Sequence, residues 1–111
     1  EYDILNIKIP KEDSLMDVIL EVEKIDNNIH GIYLYIKDEI YYSSIQLKDI
    51  PVIVDINKHG DIYAIEIISE GIVPTYKEIQ EKAYESKIIH KLKRYGDYLQ
   101  KSLHQYRNDN N

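Results

Sequence analysis

The spacing of apolar positions changes character near residue 74. Before it, apolar residues tend to recur at every second position; after it, at every third or fourth. Residues 2–9 set Leu5, Ile7 and Ile9 against Asn6 and Lys8, which predicts a half-buried strand stopped by Pro10. Lys11 to Ser14 reads as a polar turn. Residues 15–25 fit both periods: Leu15, Val18, Ile19, Val22 and Ile25 have helical spacing behind Ser14 as an N-cap, while Val18, Leu20 and Val22 alternate. The strand reading is adopted, over 18–25. After a turn at Asp26 to Asn28 and Gly31, Ile32, Leu34 and Ile36 face one way and Tyr33 and Tyr35 the other, the clearest strand of the chain. A turn at 37–39, a strand over 40–47 and a turn at Lys48-Asp49 lead into residues 51–68. There two β-branched runs flank Asn57-Lys58-His59-Gly60-Asp61, a β-hairpin with Gly60 at a positive φ.

Beyond Gly71 and Pro74 the helical period takes over. Thr75 and Glu78 form a capping box, and Tyr84, Ile88, Leu92, Tyr95, Leu99, Leu103 and Tyr106 make one apolar stripe. An unbroken helix over 76–107 would run roughly 48 Å at about 1.5 Å per residue. A domain of about 100 residues has a radius of gyration near 13 Å. The helix therefore overhangs its sheet or breaks near Gly96-Asp97. In the overhanging case Tyr84, Ile88, Leu92, Tyr95, Leu99 and Leu103 become an oligomer interface. The predicted architecture is α+β: an antiparallel β-meander over 1–74, a long C-terminal helix over 75–107 and a short tail over 108–111, all in one domain.

Composition narrows the function classes. The chain has 111 residues, enough for a modest core without staples. It has no Cys, which removes disulfides and thiolate chemistry and suits a reducing cytoplasm. No apolar run reaches the roughly 18 residues of a membrane span, and no signal peptide is recognisable. Charge is uneven. Residues 1–85 carry 18 acidic and 8 basic side chains; residues 86–111 carry 6 basic and 2 acidic. An acidic body with a basic end suits a basic partner, or the body of another copy.

Candidate chemistry is sparse. Asp55, Asn57, His59, Gly60, Asp61, Ile62 and Glu66 fall on positions of a calcium-binding helix–loop–helix motif, with Asp55, Asn57, Asp61 and Glu66 as oxygen donors. His59 brings nitrogen where a hard cation takes oxygen, and the flanks are β-branched, so the polar turn of a hairpin is the preferred reading. Asp55 and Glu66 as an acid–base pair, and His90 with His104 at four turns' distance, fare no better. With four glycines there is no phosphate loop, and no Ser or Cys nucleophile motif is present.

The same hairpin carries a resemblance. Val52, Val54, Asp55, Asn57, Gly60, Ile62, Ile65, Glu66 and Ile67, with Ile25-Asp26 and Ile32-Tyr33-Leu34 upstream, resemble the signature of a small bacterial and phage family of unknown function, domain of unknown function 2283. The resemblance covers about residues 20–68. Ile25 stands where that family has Tyr, and Ala64 where it has Gly. It implies a small antiparallel sheet and brings no activity with it.

These readings converge on a non-enzymatic protein–protein interaction module without a cofactor, cytoplasmic and homo-oligomeric. Immunity proteins, antitoxins and phage inhibitors of host defence are of this kind: they restrain another macromolecule. Its partner-binding residues are Tyr33, Tyr35, Tyr41, Tyr42 and Tyr63, since tyrosine buries area while keeping a hydrogen-bonding tip. The alternative is a nucleic-acid-associated regulator using Lys87, Lys91, Lys93 and Arg94. The acidic body opposes it by repelling phosphates.

Overall fold

Six strands form one antiparallel sheet in the computed structural model, which describes residues 2–11, 14–26, 28–68, 74–92 and 95–109. The predicted turn positions 12, 13, 27 and 71, and Lys93 and Arg94 of the basic cluster, lie outside these residues. The strands are β1 (Tyr2–Lys11), β2 (Ser14–Ile25), β3 (Asn28–Ile36), β4 (Tyr41–Gln46), β5 (Val52–Asn57) and β6 (Ile62–Ile67). Residues 15–25 are thus strand throughout. Pro10 does not stop β1, because β1 is an edge strand, where a missing N–H costs no ladder bond when it faces away from the sheet.

The strand order β1-β2-β3-β6-β5-β4 corrects the simple meander. Two three-stranded meanders meet where β3 pairs with β6, from Ile32↔Ile67 to Tyr35↔Ala64. Burial explains the order. β5 and β6 are apolar and buried on nearly every residue, so they take interior places; β4, with sequence YYSSIQ and mostly exposed, takes the edge. The connecting turns use left-handed residues at Asp26, Asp38, Asp49 and Gly60, the last with φ 86° as the hairpin predicted.

The long C-terminal helix is overturned. Helix α1 (Tyr76–Glu85) is followed by a 3-10 turn (Ile89–Leu92) and then α2 (Gly96–Asp109). The first break falls earlier than Gly96. Lys87 adopts a left-handed conformation with φ 62°, its N–H donates to the Tyr84 carbonyl, and the Ile88 N–H donates to the Ala83 carbonyl. This is a Schellman ending, which satisfies carbonyls that would otherwise be orphaned and turns the chain back. Its start is the predicted capping box: Thr75 Oγ1 accepts from the Glu78 N–H, and Glu78 Oε1 accepts from the Thr75 N–H.

Folding the helical stretch back keeps the longest dimension at 38 Å, shorter than an unbroken helix, with a radius of gyration of 13.3 Å. Helix α2 lies across β6, β3, β2 and β1. Ile88, Leu92, Tyr95, Leu99 and Leu103 all turn inward, while Tyr84 is 73% exposed. The oligomer-interface assignment for this stripe is therefore corrected: five of its six residues close the chain's own core. They pack with Val18, Leu20, Val22, Ile32, Leu34, Val54, Ile65 and Ile67 from one sheet face. A fully buried leucine such as Leu99 contributes about 1.5–3 kcal/mol of transfer free energy. That is reason enough for the stripe to be spent inside.

Candidate functional site

Among the described residues, the helices pack on one face of the sheet. Alternation and register decide what the other face presents. With Val18, Leu20 and Val22 turned to the helices, Ile19, Glu21 and Glu23 of β2 turn away. Cross-strand pairing then aligns Ile4 of β1, Glu21 of β2, Tyr33 of β3, Glu66 of β6, Ile53 of β5 and Gln46 of β4 in one row across the sheet. The next row carries Asn6, Ile19, Tyr35, Ala64, Asp55 and Ser44. A register shift between Asp55 and Ile56 leaves Tyr63 as the extra residue of β6, and its hydroxyl joins Tyr33 on this face.

The two rows are tied by a network centred on Asp55, which is only 7% exposed. The Tyr33 hydroxyl donates to Asp55 Oδ2 at 2.8 Å, and Ser44 Oγ donates to Oδ1 at 2.7 Å. Ser44 has one proton and spends it there, so the Tyr41 hydroxyl, 3.1 Å away, donates to Ser44. The Tyr33 and Tyr35 rings are tilted with centroids 4.9 Å apart, and the Tyr35 hydroxyl reaches Glu21 at 3.5 Å. Burial, reinforced by the Asp55 carboxylate, pushes the Tyr33 phenol well above its ordinary range. Burial also raises Tyr35, with Glu21 adding to it, and Tyr63, with Asp55 adding to it. These phenols are donors at neutral pH.

Beside the network lies a cleft of about 350 Å³ lined by Tyr2, Glu21, Glu23, Tyr33, Asp55 and Glu66, among others. Its charge is acidic. The described ion pairs on the sheet, Lys8 with Asp17 and Lys24 with Asp3, sit toward the β1 edge and do not include Glu21, Glu23 or Glu66.

Four of the five sequence-predicted tyrosines, Tyr33, Tyr35, Tyr41 and Tyr63, are brought together on this face. Tyr42 is displaced from register by a bulge in β4 and stands 74% exposed. The carboxylates Glu21 and Glu23 and the hydroxyl of Ser44 were missed. The alternation Leu20-Glu21-Val22-Glu23 held the signal for the first two, but only the β2–β3–β6 pairing shows that they flank the tyrosines.

The other candidates are dispersed. Asp55, Asn57, Asp61 and Glu66 do not converge as a calcium loop: among the described residues no group of three or more ligating side chains could hold a metal ion. Asp55 spends its oxygens on Tyr33 and Ser44. Asn57, fully buried, accepts the His59 and Asp61 N–H groups at 3.0 Å each and donates to Glu39 at 3.3 Å. It is the internal brace of the hairpin turn. In the basic cluster, Lys87 ends α1, and Lys91 Nζ donates to the Gly60 carbonyl at 3.3 Å. Of these two, only the Lys91 ammonium is engaged; Lys87 ends the helix through its backbone, and its side chain is exposed. No helix among the described residues is long and apolar enough to cross a membrane.

Comparison with protein-family models, with curated proteins and with solved structures gives no match. The reading of function therefore rests on the geometry of this face.

Proposed function

We propose that this chain is a non-enzymatic protein-binding module of the inhibitor or neutraliser type. The sheet face opposite its described helices would receive a basic segment of another protein in the cytoplasm. The observation that carries the reading is the juxtaposition of Tyr33, Tyr35, Tyr41 and Tyr63 with Glu21, Glu23 and Glu66 on the sheet face opposite the described helices. Tyrosines supply stiff contact area, and the carboxylates supply charge complementary to lysine and arginine. Tyrosine faces also bind cations directly. The buried Asp55 network holds the rings in place before a partner arrives, so less side-chain entropy is lost on binding.

The test is a tagged pull-down from nuclease-treated lysate, run beside the charge-reversed variant Glu21→Lys/Glu66→Lys. One protein partner captured by the native chain and lost with the variant is expected. Equal capture by both, or loss of every partner on nuclease treatment, refutes the proposal.

A further inference from the structure

The two edges of the sheet are built differently. The β4 edge is six residues long, and a bulge between Tyr41 and Ser43 breaks it. The β1 edge runs for ten residues, paired to β2 from Tyr2↔Glu23 to Lys11↔Ser14 with no register shift. Short length and bulges protect an edge against pairing with another chain, and β1 has neither. It also presents apolar side chains: Tyr2 is 66%, Ile4 68% and Leu5 45% exposed.

Hydrogen-bond alternation decides which backbone groups of β1 are open. The Lys37 N–H donates to the Asp17 carbonyl at 3.0 Å, so odd-numbered residues of β2 from Asp17 to Glu23 turn their N–H and C=O groups to β3. Even-numbered residues of β2 therefore turn to β1, where Val18 meets Ile7 and Leu20 meets Leu5. The odd-numbered residues of β1 thus spend their backbone groups inside the sheet. Tyr2, Ile4, Asn6 and Lys8 point theirs outward, and Pro10 offers outward a carbonyl only.

A second copy matches this edge. Two identical antiparallel strands related by a two-fold axis keep their side chains on matching faces. Tyr2 then pairs with Lys8 and Ile4 with Asn6, each pair made twice, and every open N–H and C=O of the four residues has a partner. Pro10 stays beyond the ladder. A slide of two residues one way sets the Tyr2 carbonyl against the Pro10 ring; the other way leaves Lys8 outside the pairing. Charge agrees with this register. Lys8, already paired with its own Asp17, comes opposite the second copy's Tyr2, whose hydroxyl donates to Glu23 one strand further on. That carboxylate lies two strand spacings, about 10 Å, from the Lys8 backbone, within a lysine side chain's reach. On the other face Leu5 meets its own copy at the axis and loses its exposed area.

We propose that β1 is the interface of a homodimer, in which it pairs antiparallel with β1 of a second copy and joins two sheets into one. The axis is perpendicular to the sheet, so both tyrosine faces lie on the same side. Tyr2, a wall of each acidic cleft, stands at the joint.

The experiment is sedimentation velocity of the full chain at about 100 μM. A species at twice the 13.2 kDa chain mass is expected. Ile4→Pro removes an outward N–H and no bond to β2, and should weaken the dimer by about tenfold or more. The register is read separately, whether or not that variant folds. The chain has no Cys, and facing residues of a non-hydrogen-bonded pair have Cα atoms about 4.5 Å apart, within disulfide range. Oxidised glutathione should therefore link Leu5→Cys into a dimer on a non-reducing gel. Tyr2→Cys, with its two copies about 20 Å apart, should stay unlinked. A monomer at that concentration overturns the inference, including one that accepts a strand of another protein instead. So does a dimer indifferent to Ile4→Pro when that variant is folded, or Tyr2→Cys linking as readily as Leu5→Cys.

Discussion

Removing the hydroxyl donors from Asp55 tests the network that organises the tyrosine face. Tyr33→Phe deletes a 2.8 Å bond to a carboxylate that is 7% exposed, and Ser44→Ala deletes a 2.7 Å bond to its other oxygen. Hydrogen bonds to charged groups contribute about 1.5–3 kcal/mol. Tyr33 is only partly buried and Ser44 is exposed, so water replaces some of what is lost, and the lower end applies: about 1.5 kcal/mol for Tyr33→Phe and about 1 kcal/mol for Ser44→Ala. The double variant leaves both oxygens of a buried carboxylate without their donors. Its cost should exceed the sum of the single costs by about 0.5–1 kcal/mol. Urea denaturation at pH 7 measures all four chains, and thermal melting should show about 4 °C per kcal/mol for a chain of this size. Single-variant costs both below about 0.3 kcal/mol, or strict additivity within that margin, would refute the network as a structural unit.

The Schellman ending and the buried phenols make two further predictions. Lys87→Gly relieves a left-handed backbone at φ 62° that a side chain disfavours, and should stabilise the chain by about 1 kcal/mol in the same denaturation assay. For Tyr33, Tyr35, Tyr63 and Tyr76 the folded pKa lies above the ordinary value of 10.0. Above that pH the unfolded chain loses these protons first, so their contribution is complete below about pH 10 and is lost as pH rises. Denaturation midpoints followed from pH 8 upward should fall beyond about pH 10, and Tyr76→Phe should shrink the fall between 10.0 and about 12.

Local signals were legible in the sequence where a residue acts within its own element. The period-two runs of β1, β3, β5 and β6, the Gly60 turn and the Thr75–Glu78 box all follow from side chains a few positions apart. The turn back after α1 was not legible, because Lys87 is an ordinary helix former by composition. What accompanies the end of the helix is the burial of Ile88 in the core, a tertiary demand that local sequence does not announce. The same holds for the stripe. Its four-and-three spacing reports an apolar face, and only the fold decides whether that face meets a second copy or the chain's own strands. The tyrosine face was half legible: Tyr33 and Tyr35 share a side by alternation, but the approach of Asp55 and Tyr63 depends on β6 lying between β3 and β5.

The strand order also governs how the molecule assembles. Each three-stranded meander pairs neighbours along the chain, whereas pairing β3 with β6 closes the loop between Ile36 and Ile62. That closure entropy is paid before the central pairs reward it, so joining the halves is the slow, non-local step. Helix α2 spans the join on one side and the Tyr33–Asp55 bond crosses β6 on the other. The residues proposed to meet a partner therefore also act as the clasp that keeps the two halves shut, and a change there would be felt in the lifetime of the folded state as well as in binding.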